Sequence, residues 1–192
     1  MRSATIISKI AVAFSLFYAS GSIVLADEDI REIYNRQCKV SPVILEAIAK
    51  VERHAKRPPG YPFLISFNNE QEAKVVQDII GKEVFLDWRT IDCKNSEICI
   101  KISEYVIHTL SIQNMDLGAY QINFKHHKMP LKNYFSFEDS YFKACHFLET
   151  LINQHGYTWE TIARYHSATP KYNYAYLEKI STILKKEKNG NN

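Results

Sequence analysis

Glu52 is the residue of this sequence whose type and position best suit it to proton transfer. It ends an apolar run, residues 44–52 (ILEAIAKVE), and lies seven positions after Leu45 and four after Ile48. In a helix these spacings place the carboxyl beside the buried stripe, in the last turn. Burial and the negative end of the helix dipole both raise the pKa of a carboxyl group. Glu52 is therefore a candidate general acid, and the alternative is an ordinary surface Glu at a helix end.

Two segments downstream of Glu52 carry polar and aromatic side chains close together. One covers residues 114–123 (NMDLGAYQIN) and the other covers residues 163–170 (ARYHSATP). A protonated carboxylic acid can donate to a glycosidic oxygen, and polar and aromatic side chains suit the walls of a groove around it. The order of these pieces along the chain suggests acid catalysis on a sugar polymer.

These strings resemble the motifs of the SLT-type lytic transglycosylases, which are related to goose-type lysozyme. Members of that family carry Ala-Ile-Ala-x-x-Glu-Ser at a helix end, then Asp-Val-Gly-x-Met-Gln-Ile-Asn, then Ala-Tyr-Asn-Ala-Gly or Arg-Tyr-His-Ser. The corresponding strings here are residues 47–53 (AIAKVER), 116–123 (DLGAYQIN) and 164–167 (RYHS). Residues 156–160 (GYTWE) also resemble a segment that precedes the last motif in several branches. The likeness covers about residues 38–182.

The resemblance implies an enzyme that acts on peptidoglycan glycan strands without a metal or organic cofactor. Glu52 would be the catalytic acid and then the base. Gln121 and Asn123 would contact sugar hydroxyl or acetamido groups, and Tyr165 would lie over the catalytic carboxyl. Gly118 would permit close backbone approach at a helix start. For Tyr165, a role in packing alone is the alternative interpretation.

Three positions depart from the family pattern. Arg53 replaces the Ser that follows the acid, Tyr120 replaces the usual Met, and Asn114 stands where Ser is usual. The amide of Asn114 both donates and accepts, so it can still hydrogen-bond Glu52. A positive Arg53 would oppose a raised pKa unless its side chain points to solvent. The distance along the chain from the acid to the second motif is also long, so residues 54–113 are interpreted as an insertion.

A single candidate acid bears on the mechanism, because a conventional glycosidase needs two carboxylates. The resemblance implies cleavage between N-acetylmuramic acid and N-acetylglucosamine, with the 2-acetamido group assisting and a 1,6-anhydromuramyl end as product. One alternative is a water-consuming muramidase with Asp116 or Asp87 as second carboxylate, although Asp116 is first interpreted as a helix N-cap. Another is a weakly active wall-binding component of a secretion or conjugation apparatus.

The N-terminus has the order of a secretory signal peptide. Arg2 and Lys9 precede an apolar segment, residues 10–25, and small residues at Val24 and Ala26 suit a signal peptidase. Cleavage after Ala26 and a periplasmic or secreted location are expected. A retained membrane anchor is the alternative, but the apolar segment is short for a span of roughly 20 residues.

The mature chain, residues 27–192, is long enough for one domain with a sizeable core. Loss of Arg2 and Lys9 with the signal lowers the net charge from +3 to +1. Such a balance gives no electrostatic reason to expect nucleic acid or an anionic membrane as a partner. No stable membrane span is expected after signal cleavage.

The four cysteines of an exported chain favour disulfides, with three possible connectivities. Cys93 and Cys99 enclose only five residues, so they are paired with each other, which leaves Cys38 for Cys145. Buried free thiols are the alternative. A zinc site is disfavoured because no C-x2-C pair is present.

Hydrophobic periodicity and capping residues predict a mainly helical α+β domain, lysozyme-like by the resemblance. Strands are expected only within residues 61–92, with a clear one over 61–67. Ile122 and Trp159 are expected in the core. The predicted helices cover residues 42–53, 70–80, 96–110, 136–156, 158–166 and 173–186.

Overall fold

The computed structural model describes residues 38–190, so the predicted signal peptide, residues 1–26, lies outside the described residues. Within that range the fold is α+β and mainly helical, as predicted. No helix in residues 38–190 is long and apolar enough to span a bilayer. The helices are α1 (Pro42–Glu52), α2 (Glu70–Ile80), α3 (Ser96–His108), α4 (Leu131–Tyr134), α5 (Phe137–His155), α6 (Trp159–Ala163) and α7 (Pro170–Gly190).

A four-stranded antiparallel sheet lies between the helices in sequence, with strand order β2-β1-β3-β4. Its strands are β1 (Leu64–Phe67), β2 (Thr90–Asp92), β3 (Met115–Leu117) and β4 (Ile122–Asn123). In β1, Ile65 stands opposite Ile91 of β2 and Leu117 of β3. Because β1 is a central strand, the supposed insertion of residues 54–113 is part of the same sheet as the second motif.

The expectation that strands are confined to residues 61–92 is wrong. The second motif forms β3 and β4, and Asp116 lies within β3 rather than at a helix N-cap. Each strand has only two or three residues, and the pairing of β3 with β1 stabilises them. So short a run has too little periodicity to identify a strand from sequence.

Helix α1 follows the sequence prediction closely. Pro42 occupies the first turn, where a missing N–H costs nothing, and Ser41 precedes it without a side-chain cap. Leu45 and Ile48 are fully buried in the core. The helix ends at Glu52, because Arg53 adopts an extended backbone. This termination places the Glu52 carboxyl at the negative end of the helix.

Both ends of α5 and the start of α6 form where capping residues predict them, whereas α6 ends at Ala163 and not at residue 166. The Ser136 hydroxyl accepts a hydrogen bond of 3.2 Å from the backbone N–H of Asp139. Gly156 ends α5 with φ +82°, a conformation that glycine adopts without strain. Thr158 caps α6 through the N–H of Thr161 at 3.1 Å. Local chemistry therefore accounts for these boundaries.

Two of the core predictions have opposite outcomes. Ile122 is 5% exposed and belongs to the core, as expected. Trp159 is 49% exposed, so its assignment to the core is wrong. It is the first residue of α6, and the buried residues of that helix are Thr161, Ile162 and Ala163. The large ring thus lies outside the stripe that packs on the core.

Both predicted disulfides form, and all four cysteines are paired. Cys38 and Cys145 tie the segment before α1 to α5, with Cα atoms 6.0 Å apart and a sequence separation of 107. Cys93 and Cys99 join the end of β2 to the first turn of α3 across a Cα distance of 5.1 Å. Both Cα distances lie in the usual range for disulfides. The first crosslink fixes the helix that carries Glu52 against α5.

Candidate active site

A groove of about 620 Å³ opens beside the end of α1. Of the predicted site residues, Glu52, Gln121, Asn123 and Tyr165 line it, whereas Asn114 and Gly118 do not. Residues from the strands, from α5 and from the segment between α6 and α7 complete the lining. They include Arg53, His54, Ser66, Asn68, Asp87, Arg89, Asp116, His126, His127, Lys143, Phe147, Arg164, His166 and Ser167.

The Glu52 carboxyl keeps its proton to unusually high pH. Burial of the carboxyl among groove atoms raises its pKa from 4.5 to about 7. A hydrogen bond from Tyr176 acts in the opposite direction, the negative charge of Asp116 raises the pKa, and the positive charges of Lys179 and Arg89 lower it. Glu52 as a whole is half-buried, so the carboxyl is desolvated yet reachable from the groove.

Arg53 was expected to oppose this shift unless it points to solvent. The residue is exposed, and it is not among the groups whose charge acts on the Glu52 carboxyl. The extended backbone at Arg53 turns the chain away from the helix axis directly after the acid. Arg53 therefore does not cancel the raised pKa of Glu52.

Tyr176 is the functional residue that sequence reasoning missed. Its hydroxyl donates to Glu52 Oε1 at 2.6 Å, and the residue is only 2% exposed. Its ring is parallel to the ring of His166, with centroids 4.9 Å apart and 4° between the planes. Tyr176 stands one helical turn before Ile180, on the inward stripe of α7. On sequence alone such a Tyr is interpreted as core, because nothing local reveals its partner on α1.

A hydrogen-bonded network supports Asn123 in the groove. The Asn123 side-chain amide donates to Asp116 Oδ1 at 2.8 Å and to Asn114 Oδ1 at 3.1 Å. Arg89 Nη2 donates to Asp116 Oδ2 at 3.1 Å. The proposed hydrogen bond from Asn114 to Glu52 is not formed, because the pairing of β3 with β4 directs Asn114 to Asn123. Asn114 therefore holds a groove residue in place without lining the groove itself.

The turn between β3 and β4 needs two residues with positive φ. Gly118 has φ +77°, and a Cβ built on it would lie 1.9 Å from the carbonyl oxygen of Tyr134. The backbone does approach closely at Gly118, but the neighbour is the Tyr134 carbonyl and the position is a strand end, so the expected helix start is wrong. Gln121 has φ +46°, and its Nε2 donates to the Gly118 carbonyl at 2.9 Å. Such strain at a non-glycine residue is typical of functional sites.

Tyr165 enters the groove from the segment after α6. Its hydroxyl donates to the backbone carbonyl of Tyr120 at 2.8 Å, which fixes the position of the ring in the groove. Burial raises the pKa of Tyr165 well above its ordinary value, and the charge of Glu52 raises it further. The hydroxyl therefore stays protonated at neutral pH, and it donates to the Tyr120 carbonyl rather than to Glu52.

Two further carboxylates face the groove. Asp116 is paired with Arg89, as described above. Asp87 accepts hydrogen bonds from the backbone N–H groups of Arg89 at 2.9 Å and Thr90 at 2.7 Å. Burial alone would raise the pKa of Asp87, but these bonds and the nearby His54 lower it overall. Asp87 is thus an anion at neutral pH, in contrast to Glu52.

Comparison of the chain with protein-family models, with curated proteins and with solved structures finds no match in any of the three. Within residues 38–190, the one cluster of potential metal ligands is Cys38, Cys145 and Glu149, and its two sulfurs form a disulfide.

Proposed function

We propose that this protein is an exported peptidoglycan lytic transglycosylase of the SLT type. The observation that carries the proposal is the Glu52 carboxyl, which has a pKa of about 7 and faces an open groove. The four motifs that resemble the family supply three of the groove residues discussed above, Gln121, Asn123 and Tyr165. An acid in this state suits general acid catalysis at neutral pH.

In the proposed reaction Glu52 acts first as an acid. It donates its proton to the oxygen that links N-acetylmuramic acid to N-acetylglucosamine, and the bond from that oxygen to C1 of the muramyl ring breaks. The carbonyl oxygen of the muramyl 2-acetamido group then stabilises the cationic C1, which compensates for the lack of a carboxylate nucleophile. The N-acetylglucosamine leaves as an alcohol.

In the second step Glu52 acts as the base. Its carboxylate takes the proton of the muramyl 6-hydroxyl, whose oxygen bonds to C1 as the acetamido oxygen leaves. The product is a 1,6-anhydromuramyl end, Glu52 regains its proton and no water is consumed. Tyr176 supports both states, because its hydroxyl stays protonated and stabilises the Glu52 anion between the steps.

The sugar chain would be positioned by side chains that the protein already holds rigid. Asn123 is fixed by Asp116 and Asn114, and Gln121 is fixed by the Gly118 carbonyl. Side chains held in this way lose little freedom when substrate binds, so their hydrogen bonds favour the correct geometry. Tyr165 adds an aromatic surface next to the acid.

A water-consuming muramidase is the second candidate function. The observation in its favour is that Asp116 lies close enough for its charge to raise the pKa of Glu52, and Asp87 lines the same groove. Either carboxylate would orient a water molecule for attack on C1. Against Asp116 stands its pairing with Arg89 and Asn123, which occupies both of its oxygens.

The proposed location is the periplasm or the cell exterior, after cleavage of the signal near Ala26. Two disulfides fit an oxidising compartment, and glycan strands of the cell wall are present there. Single-domain enzymes of this type often open the wall for a secretion or conjugation apparatus. We include such an apparatus as a candidate partner.

Mass spectrometry of the products released from purified sacculi tests the proposal. Anhydromuramyl ends are the expected result, and a Glu52→Gln protein prepared in parallel should release none. Reducing muramic acid ends would instead select the muramidase. If wild-type protein binds sacculi but releases no fragments, the weakly active wall-binding component becomes the correct interpretation and the enzyme proposal is wrong.

A further inference from the structure

One wall of the groove carries positive charge that the protein does not neutralise. We call the side chains of His126, His127, Lys143 and Arg164 the basic wall. Across residues 38–190, none of these four side chains forms a hydrogen bond or an ion pair. His127, Lys143 and Arg164 are half-buried, so solvent screens them less than it screens ordinary surface cations.

The acids of the groove do not compensate for this charge. Asp116 is paired with Arg89, and Asp87 is held by backbone N–H groups and His54. Glu52 is hydrogen-bonded by Tyr176. Lys143 and Arg164 therefore face the groove as cations with free donors, which is the arrangement that an anionic ligand needs.

The electrostatics of His127 agree with this geometry. Burial lowers the pKa of His127, and the positive charges of Lys143 and His126 lower it further. No acid among the described residues acts in the opposite direction on that ring. His127 is thus close enough to Lys143 and His126 for their charges to act on it, and a carboxylate placed among them would offset those charges.

A column of rings joins the basic wall to the proposed catalytic residues. The ring centroids of His127 and Phe147 are 4.2 Å apart, and those of Phe147 and Tyr165 are 5.5 Å apart. Lys143 stands four residues before Phe147 on α5, so the two share a helix face. Arg164 directly precedes Tyr165. An anion on the basic wall would therefore be next to the sugar that Tyr165 contacts.

We propose that the basic wall binds a carboxylate of the acidic peptide that the muramyl lactyl group carries. This inference rests on the proposed function, since it takes peptidoglycan as the polymer in the groove. The peptide is attached to the sugar that is cleaved, so its carboxylates reach only sites close to that sugar. Lys143 and Arg164 would supply charge-assisted hydrogen bonds, and the ring column would exclude water from them.

Binding to the full chain carrying Glu52→Gln tests this subsite without turnover. Three soluble glycan fragments serve as probes: one with peptides whose carboxylates are free, one with those carboxylates amidated and one with the peptides removed. Two charge pairs that are partly open to solvent suggest a preference of about fivefold to tenfold for the free carboxylates. That preference should weaken as salt rises from about 50 mM to about 300 mM.

The test variant adds both Lys143→Gln and Arg164→Gln to the Glu52→Gln protein. The matched control adds both Lys74→Gln and Lys132→Gln instead. Lys74 and Lys132 are exposed on α2 and α4 and do not line the groove. The preference should disappear in the first pair and persist in the second. Equal affinity of the Glu52→Gln protein for the free and amidated fragments would overturn the inference. Loss of the carboxylate preference in the control double variant would overturn it as well.

Wild-type protein incubated with the free-carboxylate fragment separates the two proposals. Cleavage of the fragment without any carboxylate preference in binding contradicts the subsite alone. A carboxylate preference without cleavage contradicts the enzyme proposal and leaves the binding site supported. If the protein binds none of the three fragments, both the subsite and the enzyme proposal are contradicted. Tighter binding to a phosphate polymer than to the carboxylated fragment would show that the wall selects another anion.

Discussion

The hydroxyl of Tyr176 donates a hydrogen bond of 2.6 Å to Oε1 of Glu52, although the two residues are 124 positions apart. The contact joins the last residue of α1 to the inward stripe of α7. It lowers the pKa of Glu52, whereas burial raises it by a larger amount. The acidity of the groove thus depends on how two helices pack.

Glu52→Gln should abolish lysis of sacculi and leave the fold intact. Gln keeps the shape and the acceptor oxygen for Tyr176 but has no transferable proton, so the expected loss of rate is about 10²-fold to 10⁴-fold or more. Turbidity of a sacculus suspension and circular dichroism measure the two properties. Glu46→Gln is the control, since Glu46 is exposed on the same helix. Clearance at the wild-type rate by the Glu52→Gln protein would contradict the catalytic assignment.

The same substitution should stabilise the protein at alkaline pH. The Glu52 pKa is about 7 in the folded state against an ordinary 4.5, so the folded state binds more protons between these values. Stability therefore falls as pH rises from about 4.5 to about 7, and the penalty reaches at most about 3 kcal/mol above that window. Gln does not titrate. Urea unfolding should show that Glu52→Gln gains stability over wild type between pH 4 and pH 8, and an equal difference at both pH values would refute this.

Tyr176→Phe should shift the pH profile of lysis to higher pH. The lost hydrogen bond favours the Glu52 anion, so its removal raises the pKa of Glu52 above its present value. The alkaline limb of kcat/KM then moves upward, because the acid stays protonated longer. Tyr165→Phe is the comparison, since its hydroxyl bonds the Tyr120 carbonyl and not Glu52. An unchanged limb in Tyr176→Phe would mean that this contact does not tune the acid.

Groove residues and core residues should differ in what their substitution costs. Tyr165→Phe and Gln121→Ala are expected to lower kcat/KM by the equivalent of about 1–3 kcal/mol, with a smaller effect on melting temperature. Ile48→Ala should instead cost about 2–5 kcal/mol of stability, because it leaves a cavity in the core. Lysis rates and thermal melting of the three variants provide the comparison. Normal lysis by the first two would assign both residues to packing.

The two disulfides should contribute unequally to stability. The Cys38–Cys145 bond has a sequence separation of 107. Replacing both cysteines with Ser should lower the free energy of unfolding by about 3–5 kcal/mol. The Cys93–Cys99 bond has a separation of only 6, so its removal should cost about 2 kcal/mol. Denaturant unfolding of the two double variants measures this order. Non-reducing peptide mapping of the wild type should find both bonds, and four alkylatable thiols would contradict the pairing.

Much of the fold was predictable because its signals are local. Helix α1 and its end at Glu52 follow from apolar spacing within one segment, and Ser136 and Gly156 mark the two ends of α5 through their own backbone chemistry. The disulfide pairing followed from the short spacing of Cys93 and Cys99. The groove residues Gln121 and Asn123 were found through their motif, which lies in one continuous string.

Tertiary structure alone decided which distant groups meet. The three residues of β3 form a strand by pairing with β1 and β4, and a segment this short carries no sequence signal of its place in the sheet. The pairing of β3 with β4 brings Asn123 beside Asn114, so Asn114 bonds Asn123 instead of Glu52. Local sequence determines helix periodicity and caps, because those hydrogen bonds span a few residues. The partner of Glu52 on α7 depends on the packing of two helices, which no single segment encodes.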